Sequence, residues 1–147
     1  MASDLLNLQL FHTVIHNRPK RYAATPELGE GMLRMNVTLY GLKNCDSCRK
    51  VLKEIEGDGH TVTLIDVRDD GMDRGLLAGL LAKHGDDVLV NQKSTTWREL
   101  PEDEKNQKAY TLLTKHPSLM KRPVLVIDDG VSFVGWSAEI RAAVNKT

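Results

Sequence analysis

The feature that constrains this chain most is a pair of cysteines placed where a strand gives way to a helix. Val37 and Leu39 alternate with polar residues up to Gly41, a pattern that predicts a strand. Apolar residues then recur at helical spacing, at Cys48, Val51, Leu52 and Ile55. The sequence therefore predicts strand, short loop and helix, with Cys45 at the N-terminus of the helix.

This placement favours reactive sulfur chemistry at Cys45. The first turn of a helix offers unpaired N–H groups and the positive end of the helix dipole, which stabilise a thiolate. Lowering a thiol pKa by about two units corresponds to about 2.7 kcal/mol, whereas a helix terminus supplies about 0.3 to 1 kcal/mol. We therefore expect a nearby cation or further N–H donors. Cys48, three residues on, lies on the same face and can close a disulfide or resolve a product bound to Cys45.

Length and composition restrict the class of protein. With 147 residues, 41% of them hydrophobic, the chain suits one compact domain. Twenty basic and twenty acidic residues cancel, which disfavours direct nucleic-acid binding, and no apolar run of about 18 residues predicts a membrane span. Two cysteines so close together do not make a secreted disulfide framework, so we expect a cytoplasmic protein. The histidines show no zinc-ligand spacing, and no metal is expected.

Residues 1–34 differ in character from the rest and make a poor secretory signal. We expect a poorly ordered extension, or an upstream start codon with Met35 as the functional start. The alternative is a docking or self-association arm. The domain itself is expected to span residues 35–147.

The rest of the chain predicts an α/β fold. A second strand over residues 60–67 follows the stop signal at residues 57–59, and Asp73 should cap a leucine-rich helix in which Gly75 and Gly79 pack closely against a neighbour. Residues 88–100 show few helix signals, and a helix should run from Pro101 to about Lys115. Residues 124–127 and 131–134 should form an antiparallel hairpin, followed by a last helix capped by Ser137.

This order, with C-x-x-C at the first helix and X-Pro before the third strand, resembles the thioredoxin fold. Three stretches narrow the resemblance: Y-G-L-K-N-C-D-S-C at residues 40–48, N-Q-K-S-T-T-W-R-E-L at 91–100, and L-M-K-R-P-V-L-V at 119–126 followed by G-W-S. Together they resemble the arsenate-reductase-related, or ArsC-like, group, which includes YffB-type proteins and Spx/MgsR-type regulators. The resemblance covers about residues 35–145. It implies a mixed four-stranded sheet flanked by helices, with a helical insertion between the second and third strands.

The resemblance also implies roles for individual residues. Cys45 would be the nucleophile, and Arg122, before a cis Pro123, would reach toward a bound oxyanion. Cys48 is a resolving residue only by chemical argument, because not all members of the group have it. Backbone and polar groups beside the nucleophile would contact substrate, at Asn44, Asp46 and Ser47.

The chain departs from its relatives at residues 91–97. Many members carry Arg where this chain reads Gln92-Lys93, and Lys supplies charge without a bidentate fork, which argues against arsenate itself as substrate. Lys93, Ser94 and Thr95 are therefore candidates for binding a peptide-like ligand such as glutathione. The two tryptophans of the chain are expected to serve packing.

Two hypotheses of function follow. The first is a thiol-dependent reductase with no bound cofactor, using glutathione as co-substrate or a glutaredoxin or thioredoxin as donor. The second is a Spx-like regulator that binds RNA polymerase and uses a Cys45–Cys48 disulfide as an oxidation switch. Zero net charge does not separate them, because such a regulator need not touch DNA.

Overall fold

The computed structural model describes residues 34–128 and 130–146, and within them four strands form one mixed sheet. The strands are β1 (Asn36–Gly41), β2 (Thr61–Asp66), β3 (Val124–Ile127) and β4 (Ser132–Val134). Their spatial order is β2-β1-β3-β4, with β1 parallel to β2 and antiparallel to β3, and with β3 antiparallel to β4. The mixed sheet predicted from the sequence is confirmed.

Helices account for most of the remaining described residues. They are α1 (Asp46–Gly57), α2 (Arg74–His84), α3 (Asp86–Leu89), α4 (Thr95–Glu99), α5 (Glu102–Lys105), α6 (Ala109–Lys115) and α7 (Ala138–Lys146), with a 3-10 turn at Pro117–Leu119. Five of these helices, α2 to α6, lie between β2 and β3 along the chain. The helical insertion expected from the resemblance is therefore present. No described helix is both long and apolar enough to span a membrane.

Each face of the sheet carries its own hydrophobic cluster. Val37 and Leu39 of β1 pack with the buried side of α1 and with Val144 of α7. The opposite face, reached by Tyr40 and Val124, packs against the helical insertion. This alternation follows from the period of two along a strand. Cys45 packs against both clusters, so it lies at the edge of the sheet where the two layers meet.

Local signals explain where most elements begin and end. The Asp73 carboxylate accepts the N–H of Leu76 at 2.9 Å, which is the predicted cap of α2, and Ser137 Oγ accepts the N–H of Ile140 at 3.2 Å at the start of α7. Helix α1 ends at Gly57, and Gly59 then takes a φ of 94°, a region that glycine enters without strain.

The prediction of a single helix from Pro101 to Lys115 is wrong. The chain forms α5 and α6 instead, because Lys108 adopts an extended conformation with φ −60° and ψ 143°. Asn106 lies in the break, and asparagine is a weak helix former whose side chain competes for backbone hydrogen bonds. The Glu104 carboxylate contacts Nε2 of His116 at 2.7 Å, which holds the two short helices together.

The expectation of little helix over residues 88–100 is also wrong, because α4 lies there. Ser94 Oγ accepts the N–H of Trp97 at 3.1 Å, which makes Ser94 the N-cap of this helix. The indole of Trp97 packs against the cluster of the helical insertion, as expected for a packing residue.

The expected close packing of Gly75 and Gly79 is not observed. Both residues are exposed, and a Cβ built on Gly79 would have no neighbour within 4 Å. On Gly75 the nearest atom to such a Cβ is a carboxylate oxygen of Asp73, at 3.1 Å, in the preceding cap. These glycines therefore weaken α2 without a compensating contact.

We predict that Gly79→Ala stabilises the protein. Alanine should raise the free energy of unfolding by about 1 kcal/mol, because it lowers the backbone entropy of the unfolded chain and fits a helical conformation. The melting temperature should rise by about 3 °C. The control is Gly85→Ala, where φ is 92° and an alanine should be destabilising. A lower melting temperature for Gly79→Ala would show that the site does not tolerate a side chain.

The expectations for residues 1–34 concern a segment of which only Arg34 is among the described residues. Arg34 Nε donates to the carbonyl of Gly59 at 3.4 Å, and the N–H of Met35 donates to Nδ1 of His60 at 3.3 Å. The described chain thus begins tied to the turn that precedes β2.

Candidate active site

The loop between β1 and α1 carries the two cysteines. The N–H of Cys45 donates to the carbonyl of Leu42 at 3.1 Å, which closes a tight turn. Cys45 is the N-cap residue of α1, with φ −91° and ψ 116°. Its side chain is partly exposed, whereas Asn44, Asp46 and Ser47 beside it are exposed. The predicted position of Cys45 at the helix N-terminus is confirmed.

The Cys45 sulfur lies among hydrogen-bond donors. Partial burial acts to raise the pKa of Cys45, but hydrogen bonds from the N–H and the thiol of Cys48, the charge of Arg122 and the N–H of Ser47 outweigh it. The net effect lowers the pKa of this thiol. These are the N–H donors and the cation that the energetic argument from the sequence required.

Cys48 has the opposite character. Its side chain is 0% exposed, in the cluster under α1. Burial is the largest influence and raises the pKa of Cys48 to about 11, assisted by the neighbouring Cys45 sulfur. At pH 7 Cys48 is therefore a thiol, and its S–H donates to the Cys45 sulfur. The two sulfur atoms are therefore in hydrogen-bonding contact.

Gly41 makes room for the Cys48 sulfur. A Cβ built on Gly41 would lie 2.5 Å from Cys48 Sγ and 3.2 Å from a methyl of Leu39. Any larger residue at position 41 would have to push the sulfur away from the strand. The sequence analysis treated Gly41 only as the end of a strand, and its packing role was missed, because the close approach depends on how α1 crosses β1.

Arg122 also lies at this site, although it follows the helical insertion along the chain. The Arg122–Pro123 peptide bond is cis, as the resemblance implied. The Arg122 side chain is half-buried, and its positive charge lowers the pKa of both thiols. The flanking backbone is held on both sides, since Lys121 N–H donates to the carbonyl of Leu89 and Gly135 N–H donates to that of Pro123, each at 2.7 Å.

Asp66 positions the cysteine loop and was not predicted from the sequence. Its carboxylate is 2% exposed and accepts N–H groups from Lys43 at 2.9 Å, Arg68 at 2.9 Å and Asp69 at 3.2 Å. The hydrogen bond from Lys43 is the largest influence and lowers the pKa of Asp66. An Asp at the end of a strand parallel to the one that delivers the cysteine is the signal that could have identified it.

Arg49 is a second residue that the sequence analysis missed. Its Nε donates to the carbonyl of Lys43 at 2.9 Å, and Nη1 lies 3.9 Å from a carboxylate oxygen of Asp46. Arg49 therefore holds the loop from the side of α1, while Asp66 holds it from β2. Arg49 and Asp66 both bond to the backbone of Lys43, so the main chain of Lys43 is held in place although its side chain is exposed.

The predicted ligand-binding residues at 93–95 are held by local contacts. Ser94 Oγ donates to the carbonyl of Asn91 at 2.8 Å and accepts the Trp97 N–H, so its hydroxyl proton is already used. Lys93 and Thr95 are exposed. No recorded hydrogen bond or ion pair within the described ranges links residues 93–95 to Cys45. Their binding role stays a prediction, and Thr95 and Lys93 have more freedom for it than Ser94.

A metal site finds no support in the described part of the chain, where no group of three or more His, Cys, Asp or Glu residues converges.

Comparison with known proteins agrees with this geometry. The sequence pattern of the ArsC family matches residues 40–143, which include both cysteines and the Arg122–Pro123 pair. The chain belongs to the ArsC family. An uncharacterized protein from Haemophilus influenzae is 40% identical over 105 residues, which are 69% of this chain and 91% of that protein.

Two solved structures extend the comparison. The YFFB protein is 32% identical with a TM-score of 0.67, over 74% of this ArsC-family chain and 98% of its own. An arsenate reductase (ArsC) related protein from Brucella melitensis is 36% identical with a TM-score of 0.60, over 80% of this chain and 100% of its own. The chain thus shares the thioredoxin-like fold of these proteins.

We predict that the two thiols titrate separately in this ArsC-family protein. In Cys48→Ser, which keeps a donor beside Cys45, alkylation of Cys45 should reach half its maximal rate below pH 8.5, the ordinary thiol value. In Cys45→Ser, alkylation of Cys48 should still be slow and should rise only above the ordinary thiol value, because burial, the largest cause of its raised pKa, remains. Rates are measured with iodoacetamide across pH. Equal titration of both thiols near pH 8.5 would remove the basis for assigning Cys45 as the nucleophile.

The shifted pKa values of the two thiols also determine how each thiol changes the free energy of unfolding with pH. The pKa of Cys45 is lower in the folded chain than in the unfolded chain. Cys45 therefore stabilises the fold above the pKa of the unfolded thiol, and this stabilisation is lost as pH falls through the folded pKa. The pKa of Cys48 is higher in the folded chain than in the unfolded chain. Its contribution to the free energy of unfolding is therefore fully present below the pKa of the unfolded thiol and is lost as pH rises toward about 11. Cys48→Ser should therefore reduce the loss of stability at alkaline pH.

We predict that Gly41→Ala destabilises the fold through Cys48. The overlap of the new methyl group with Sγ should cost about 1 to 3 kcal/mol of unfolding free energy. In the background of Cys48→Ala, which removes the sulfur, Gly41→Ala should cost clearly less, giving a non-additive double-mutant cycle. Urea denaturation of the four proteins measures the coupling. Additive effects would show that Leu39 or the backbone, and not the sulfur, restricts position 41.

Proposed function

We propose that this protein is a thiol-dependent reductase in which the Cys45 thiolate attacks a sulfur or an oxidised oxyanion of its substrate. The observation that supports it is the set of groups around one partly exposed sulfur: two N–H donors, a buried thiol and the guanidinium of Arg122. Such an arrangement stabilises both a thiolate and the negative charge of an incoming group. A purely structural cysteine would not need them.

A disulfide substrate would react by successive thiol–disulfide exchanges. The Cys45 thiolate attacks one sulfur, forming a mixed disulfide, and the other sulfur leaves as a thiolate and takes a proton from solvent. The thiolate of one glutathione then attacks the substrate-linked or the Cys45 sulfur, and a second glutathione completes the exchange. Overall, one disulfide and two glutathione molecules give two thiols and oxidised glutathione, with Cys45 regenerated as a thiolate.

The properties of Cys48 bear on which thiol resolves the intermediate. A thiol attacks as a thiolate, and Cys48, with a pKa of about 11, is ionised only to about one part in ten thousand at pH 7. An external thiol such as glutathione, or the thiolate of a glutaredoxin or thioredoxin, therefore suits the resolving step better. In this proposal Cys48 acts first as a hydrogen-bond donor to Cys45.

Arsenate is a weaker candidate than a disulfide substrate. Lys93 and Gln92 are exposed where many members of the family carry an arginine, and Lys93 cannot hold two oxygens at once. Arg122 supplies a bidentate fork near Cys45. We propose a glutathione mixed disulfide as the substrate class. Its carboxylates would bind the ammonium group of Lys93 and the hydroxyl group of Thr95.

The contact between the two sulfurs also supports a second candidate, the oxidation switch of a Spx-like regulator that binds RNA polymerase. A Cys45–Cys48 disulfide would replace the hydrogen bond between these two side chains. The two functions are distinguished by Cys48→Ser, which should keep turnover with glutathione but abolish a disulfide switch. Turnover and a polymerase pull-down, each with and without diamide, test both on one pair of proteins.

We predict that two substitutions of Arg122 distinguish the effect of its charge from the effect of its bidentate hydrogen bonding. Arg122→Lys should keep most of the lowered Cys45 pKa but lose bidentate binding, whereas Arg122→Ala should lose both. Loss of a charge-assisted contact worth about 1.5 to 3 kcal/mol should lower kcat/KM for a glutathione mixed disulfide by roughly ten- to a hundredfold. The melting temperature should change little, and Lys121→Ala is the control for the loss of a neighbouring exposed cation. Unchanged turnover with alanine at position 122 would eliminate the oxyanion role.

A further inference from the structure

A cavity of about 210 Å³ lies between the turn after β2, the start of α2 and the end of α6. Its apolar walls come from six residues: Val67, Met72, Leu77, Leu113, Pro117 and Met120. An apolar cavity of about 150 Å³ is large enough to hold benzene. This one therefore has room for a single ring or a chain of about six carbons, with a polar group at the mouth.

The mouth of the cavity carries one charge. Arg74 lines it, is exposed, and has no recorded hydrogen bond or ion pair to any other residue that the structure describes. The nearest carboxylate along the chain, that of Asp73, accepts the N–H of Leu76 as the N-cap of α2. The Thr114 hydroxyl at the rim donates to the carbonyl of Tyr110 at 2.7 Å. The guanidinium of Arg74 is thus the group available to a ligand.

We propose that this cavity binds a small apolar carboxylate, with its hydrocarbon part against Leu77 and Leu113 and its carboxylate on Arg74. The walls exclude a strongly polar ligand, because buried polar groups without partners are costly. The guanidinium selects an anion, since its fork matches a carboxylate. Met72 and Met120 have flexible side chains, so the cavity should accept both aromatic and aliphatic members of this class.

The cavity is separate from the cysteine site but lies at the same end of the sheet. Val67 follows β2 directly, and its N–H donates to the carbonyl of Gly41 at 2.9 Å, at the start of the cysteine loop. Met120 stands two residues before Arg122. Cys45 and Arg122 do not line the cavity. Binding here is therefore independent of whether the reductase proposal holds.

The test compares matched acids and alcohols on the full 147-residue chain. Hexanoate and benzoate, and hexan-1-ol and benzyl alcohol, are titrated into ¹⁵N-labelled protein at low ionic strength. We expect saturable shifts of the amides of Gly71, Leu77, Thr114 and Met120. The acids should bind at least about tenfold more tightly than the alcohols, the difference expected for one charge-assisted contact at an exposed mouth.

Three variants locate the site. Arg74→Gln should remove the preference for the acid and leave alcohol binding unchanged. Arg68→Gln, the same change at an exposed arginine that does not line the cavity, should keep the preference. Thr114→Trp, at an exposed rim position, should block both ligand types, with its melting temperature checked to show that it folds.

Equal affinities for acid and alcohol, no saturable binding of either, or a preference that survives Arg74→Gln would each overturn the proposal. Equal loss of the preference in Arg68→Gln would do so too, because the effect would then be one of overall charge. Failure of any thiol-reductase assay would leave these outcomes unaffected.

Discussion

The hydrogen bonds of the Asp66 carboxylate are the interaction on which the rest of the site depends. The parallel pairing of β1 and β2 brings the ends of both strands to one edge, but it does not fix the loop beyond β1. Asp66 does so by accepting the Lys43 N–H while also accepting two N–H groups of its own turn. A buried carboxylate without these donors would be strongly destabilising, so the two loops form together or not at all. The position of Cys45 at the start of α1 follows from this constraint.

No single group explains the lowered pKa of Cys45. A helix terminus supplies about 0.3 to 1 kcal/mol, less than the shift to a predominantly ionised thiol requires. Hydrogen bonds to the sulfur and the charge of Arg122, which follows the helical insertion along the chain, also lower this pKa. Cys45 and Arg122 are 77 positions apart along the chain. The lowered pKa of this thiol therefore depends on contacts between elements that are distant in sequence.

The elements that were predicted correctly are those with strong local signals. The alternation in β1, the apolar face of α1, the Asp73 and Ser137 caps and the hairpin before β4 each follow from a few adjacent residues. The errors lie where local signals are weak or tertiary contacts decide, as in the break before α6. Cys45 and Arg122 were found through the family resemblance and the energetic argument. Gly41 was not, because its role depends on a distance between α1 and β1 that no spacing in the sequence reveals. Asp66 was also missed, although its place at the end of the strand parallel to β1 offered a signal.

The close packing of Gly41 against Cys48 limits the access of other molecules to the Cys48 sulfur. With its sulfur 0% exposed and against the backbone of β1, Cys48 cannot meet a bulky partner, and burial keeps it protonated. In the reductase reaction that we propose, a mixed disulfide at Cys45 would remove the charge that helps to raise the pKa of Cys48. Burial would remain, and it is the largest influence on that pKa. Under this proposal an external thiol resolves the mixed disulfide, and Cys48 competes only when that thiol is scarce.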